Sequence, residues 1–209
     1  MKKQLDKLSK TLKFSKTSVM FLFGLMIIGI ISGSLFSLVI TKADQSIVNK
    51  YLETFINSIN NNSLIWIDCF KSSIIFNYIF ILVIWLLGIS VIGVPIILFM
   101  FFGKSFCLGF TISAIIKKYG IEGCLLSLVY LFPHYIANVI VILILTIYAI
   151  TLSIKIVRCI IKPKTLDFKP IVKKYFYVLI MSIIIVLVTC LYEAYFMPKV
   201  LKIILNFIK

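Results

Sequence analysis

The chain has 209 residues, 62% of them hydrophobic and 14% charged, with a formal net charge of +15. Apolar runs longer than the roughly 20 residues needed to cross a bilayer, without a polar face for water, exclude a soluble helical protein. The lysines collect in short segments between those runs, with no basic stripe among exposed aromatics, which argues against nucleic acid as a partner.

Residues 1–18 form a basic N-terminal segment, with Lys2, Lys3, Lys7, Lys10, Lys13 and Lys16 against Asp6. The first span is expected over 19–40. It is too long for a signal-peptide core, and no small-x-small cleavage site follows, so it reads as a retained span. Gly29, Gly33 and Ser37 recur every four residues in it. They line one helical face with small side chains, against which a neighbouring backbone can approach closely.

The mixed segment 41–72 holds Ile47, Val48, Tyr51, Leu52, Phe55, Ile56 and Ile59 at helical spacing, with Lys50, Glu53 and Asn57 between them. This pattern predicts an amphipathic helix that lies on the membrane surface. "NNNS" at Asn60–Ser63 predicts a turn.

An apolar stretch then runs from Ser73 to Ile116, broken at Gly93-Val94-Pro95. A turn there gives two spans, 73–92 and 95–116. Gly88 and Gly93 permit tight backbone geometry, and Pro95 can open a helix because its missing N–H is not needed in the first turn. The rival reading is one kinked helix to Phe102 followed by a re-entrant piece.

Lys117, Lys118, Gly120 and Glu122 mark the next interface, and a fourth span is expected over 124–151. Pro133 lies inside it and should kink it, freeing the carbonyl of Val129. Residues 154–174 are basic, a fifth span is expected over 175–196, and a short tail follows. The expected fold is an all-α integral membrane protein of one polytopic domain, 19–209, with about five spans. The two most basic segments, 1–18 and 154–174, orient it with the N-terminus in the cytoplasm, the C-terminus outside and the amphipathic helix on the outer surface.

Lys104 falls near the middle of the third span, and His134 and Asn138 at similar depth one turn apart in the fourth. Asn77 and Glu193 are expected nearer the outer interface. A charge at the bilayer centre costs at least roughly 2.5–3.5 kcal/mol, so Lys104 should turn inward toward His134, Asn138 or the carbonyl freed by Pro133. Such a cluster is either a polar clasp between helices or a path for an ion or solute. The second reading would make the chain a small channel or transporter, although no second copy of the Gly-Val-Pro break suggests an inverted repeat. His134 is the one histidine, and no cysteine or acid stands at ligand spacing to it, so no metal is expected. No catalytic motif, cofactor motif or extramembrane segment long enough for an active-site domain is present, and no enzyme is expected.

The stretches "LLGISVIGVPIILFMFFGKSFCLGFTIS" (Leu86–Ser113), "LFPHYI" (Leu131–Ile136) and "EAYFMP" (Glu193–Pro198) resemble the stage II sporulation protein M family. The resemblance covers almost the whole chain in order. Two positions depart from the family pattern, Tyr135 after the Pro-His pair and Met197 before the last proline. The resemblance implies a five-span scaffold in the mother-cell membrane at the sporulation septum. It would recruit two peptidoglycan hydrolases, stage II sporulation proteins D and P, during engulfment of the forespore. It attributes no catalysis to the scaffold. Docking of those partners is expected on the outer helix, through Lys50, Glu53 and Asn57. Membrane lipid is the other expected partner, and a homo-oligomer is allowed.

Overall fold

The computed structural model describes residues 16–60, 66–90, 92–161 and 168–208. They are helical throughout, with no strand among the described residues. The helices are α1 (Lys16–Val39), α2 (Lys42–Asn60), α3 (Trp66–Ile89), α4 (Gly93–Ile161), α5 (Phe168–Leu191) and α6 (Met197–Ile208), with a π-helical turn, Tyr192–Phe196, joining the last two. Five helical segments are long and apolar enough to cross a membrane.

The sequence chooses the boundaries by local chemistry. Thr41 caps the start of α2: its hydroxyl accepts from the Asp44 N–H at 3.2 Å and donates to the Asp44 carboxylate at 2.6 Å. Between α3 and α4 the break comes earlier than the Gly93-Val94-Pro95 turn expected from sequence. The Ser90 N–H donates to Leu87 O, the Gly93 N–H donates to Ser90 O, and the new helix already starts at Gly93. A Cβ on Gly93 would lie 2.0 Å from Leu87 O, so the connection requires glycine. Pro95 sits in the first helical turn, where no N–H is needed. The chain thus makes two helices here and not one kinked helix with a re-entrant piece.

α4 is two limbs folded about Gly120, whose φ of 62° and ψ of −134° are non-helical. This break falls within the interface expected at 117–122, and the residue with non-helical dihedrals inside α4 is Gly120 and not Pro133, where a kink was expected. The helices also overrun the expected spans: α3 starts at Trp66 instead of Ser73, α5 at Phe168 instead of Tyr175, and the expected tail is helix α6. The expected turn at residues 61–63 and most of the basic N-terminal segment lie outside the described residues.

Two ends of the bundle can be told apart. At the turn end, Ser153 Oγ donates to Ser90 O, and the Tyr175 hydroxyl donates to Trp85 O at 2.8 Å, next to Gly88. At the kink end, α2 and α6 gather beside Gly120, with Ile59 of α2 and Leu201 of α6 buried in one cluster with Ile115. α1 runs parallel to the first limb of α4, since Gly29 approaches Ser105, Ser34 bonds Gly109 and Ser37 receives Lys117. Its N-terminus therefore lies at the turn end. α5 also starts there, so the segments 1–18 and 154–174 attach at the same end of the molecule.

The main core is apolar, around Leu22, Ile81, Ile84, Ile97, Phe101 and Leu145. Phe21, Ile28 and Leu35 of α1 point outward, as a surface meant for lipid would. On its inner face α1 touches α4 backbone to backbone. A Cβ on Gly33 would stand 2.0 Å from Phe106 O, and one on Gly109 2.0 Å from Ile30 O. Ser113 Oγ also donates to Ser34 O, and Lys117 Nζ to Ser37 O. Gly29, Gly33 and Ser37 thus occupy the seam between two helices of one chain.

Candidate functional site

Four helical segments bring polar groups to one cavity of about 160 Å³, lined by Ser73, Phe76, Asn77, Lys104, His134, Tyr135, Asn138 and Glu193. The convergence follows from helix lengths. Asn77 stands twelve residues before the end of α3 at Ile89, and Lys104 eleven residues after the start of α4 at Gly93. At about 1.5 Å per residue both lie roughly 16–18 Å from the turn end, which puts them at the same depth.

Lys104 Nζ donates to Asn77 Oδ1 at 3.3 Å, and the rings of Phe76, Phe80 and Tyr135 stand with centroids 5.1, 5.4 and 5.6 Å from it. An ammonium gains from ring faces at this range most when it is desolvated. His134 and Asn138, 3% and 4% exposed, share the cavity, but the acceptor on Lys104 is Asn77 and not either of them. Asn77 in turn donates to Ser73 O at 2.9 Å and reaches Cys190 Sγ at 3.7 Å. Asn138 Oδ1 accepts from Thr189 Oγ1 at 2.8 Å, which ties the second limb of α4 to α5.

Glu193 lines the same cavity. Its Oε2 accepts from Ser73 Oγ at 2.6 Å, and its Oε1 lies 3.6 Å from His134 Nε2. The π-turn sets this position. Pro198 has no N–H to give to Ala194 O, so the chain widens by one residue and the Met197 N–H bonds Tyr192 O instead. The sequence places Asn77 and Glu193 toward an interface, whereas the structure makes them walls of the Lys104 cavity. Glu193, five residues before Pro198, carried one usable signal: a proline that must disturb the helix just after an acid.

The residues expected to dock partners lie at the kink end. Lys50 and Asn57 are exposed on α2. Glu53 is instead engaged by Lys118 at 3.0 Å, and Lys118 Nζ also donates to Asn49 O. The apolar row divides: Leu52, Phe55 and Ile59 pack toward the bundle, while Ile47 and Tyr51 are 55% and 74% exposed. Among the described residues no group of three or more His, Cys, Asp or Glu side chains is placed to hold a metal.

The family model for stage II sporulation protein M matches residues 18–198, and the chain belongs to that family. No curated protein and no solved structure matches it.

Proposed function

We propose that this sporulation membrane protein is a non-enzymatic scaffold that recruits peptidoglycan hydrolases, stage II sporulation proteins D and P, at the septum of the mother-cell membrane during engulfment. Family membership supports the process. The observation that carries the scaffold reading is the kink-end platform, where two amphipathic helices, α2 and α6, pack on the Gly120 hairpin and on each other. That platform leaves Ile47, Lys50, Tyr51, Asn57 and Ile203 facing outward. With the described flanks of both basic segments at the turn end, the positive-inside rule favours the platform on the wall side, where such enzymes act.

The Lys118–Glu53 pair belongs to the platform's own assembly, so Glu53 is better left intact in a test of docking. The informative variant is Lys50→Glu with Tyr51→Ser, which changes the outward face and spares the buried row. It should accumulate at the normal level yet lose septal localisation of fluorescent hydrolase fusions in sporulating cells. Normal accumulation with both enzymes still recruited would remove α2 as the docking face. Lys104→Met, outside the outward face of α2, should leave recruitment unchanged; loss of a measurable ion or solute flux in liposomes on that substitution would instead favour a channel or transporter.

A further inference from the structure

The cavity around Lys104 is dipolar and incompletely satisfied. At one wall, Asn77 Oδ1 is the one hydrogen-bond acceptor on Lys104 Nζ among the described residues, although an ammonium carries three donors. Asn138, 4% exposed, also lines the cavity and carries an amide with two N–H donors. In the same cavity, Glu193 accepts one printed hydrogen bond, from Ser73 Oγ, and lies 3.6 Å from His134 Nε2, whereas a carboxylate offers about four lone-pair sites. Donors thus gather near the cation, and spare acceptor capacity lies at the anion.

We propose that this cavity binds a small zwitterion of amino-acid size, its carboxylate held by Lys104 and Asn138 and its ammonium by Glu193. The charges select the class. A lone anion would meet the Glu193 carboxylate, and a lone cation would meet the Lys104 ammonium. A molecule carrying both signs meets each with its opposite, and burial away from water strengthens both contacts. Size agrees: about 160 Å³ is close to the roughly 150 Å³ cavity that accommodates benzene, and alanine has a similar number of heavy atoms.

The test uses the full chain in nanodiscs with radiolabelled alanine. Binding should be saturable and displaced by unlabelled glycine. Acetate and methylammonium, each carrying one of the two charges, should compete at least about tenfold more weakly, because each forfeits a charge-assisted contact. Lys104→Met and Glu193→Gln should each weaken alanine binding by at least about tenfold. Absence of saturable alanine or glycine binding to the wild-type protein overturns the proposal. So does equal competition by the single-charge analogues, or binding unchanged in both variants. If either variant fails to stay monodisperse, the analogue competition on the wild-type protein decides alone. Binding is read directly on the purified protein, so its outcome is scored separately from hydrolase recruitment.

Discussion

Ser73 and Glu193, 120 positions apart in sequence, share a hydrogen bond of 2.6 Å. It joins α3 to the π-turn and is the point at which the last helical segment locks onto the polar cavity. The bond exists because the π-turn places Glu193 where a regular helix would not. Pro198 is the residue that forces the turn.

Pro198→Ala should therefore act on Ser73 at a distance. A restored N–H at position 198 can close an ordinary turn onto Ala194 O, removing the extra residue and rotating the preceding side chains by about 100°. Ser73→Ala in the wild-type background should cost about 1 kcal/mol, and in the Pro198→Ala background less than half of that. Denaturant or thermal unfolding in detergent, arranged as a double-mutant cycle, measures the coupling. Strict additivity would mean that the turn does not position Glu193.

The α1–α4 seam gives a second expectation. Gly33→Leu and Gly109→Leu each push a side chain into backbone 2.0 Å away and should destabilise the protein by about 1–3 kcal/mol or more. Gly24 and Gly103 have nothing within 4 Å of a built Cβ, so leucine there should change stability by no more than about 0.5 kcal/mol. Melting of the purified variants separates the two pairs; equal losses at all four positions would mean that close backbone approach does not set them, since helix propensity favours leucine over glycine.

Topology supplies the third. An impermeant thiol reagent applied to intact cells should modify single cysteines placed near Asn57 and after Lys199, and spare those near Lys13 and Lys164. The structure fixes the first two positions at the kink end and attaches the flanks of the latter two at the turn end. Labelling of the 154–174 segment would invert the assigned orientation.

The five spans were legible because their apolar runs are long and their boundaries carry lysines, so the class needed no tertiary information. Depth within a span was less legible. Trp66, Ile67 and Phe70 extend α3 past the charged Asp68 and Lys71, which a hydropathy reading treats as an end. That seven-residue extension moves Asn77 from near an interface to the level of Lys104. The partner of Lys104 was misjudged for this reason: depth alone matched it with His134 and Asn138, whereas the acceptor depends on which side chain of a third helix faces it. Glu193 was harder still, since its direction is set by a π-turn whose cause lies five residues later. The division of α2 into a packed row and an outward Ile47 and Tyr51 is likewise a property of its neighbours, Leu201 and Tyr119, and not of its own periodicity.

The glycine seam also sets the order of events during synthesis. α1 packs chiefly on α4, and its closest partners begin at Phe102, more than sixty residues after α1 ends at Val39. At roughly 5–20 residues per second, α1 waits about 3–13 s in the bilayer before that surface emerges. A helix can wait because its backbone bonds are satisfied internally, so lipid alone suffices to hold it. Its joining to α4 is then a lateral association of segments already inserted. The seam thus closes only after α2 and α3 have been made, and the first helix waits for a partner that two later helices precede.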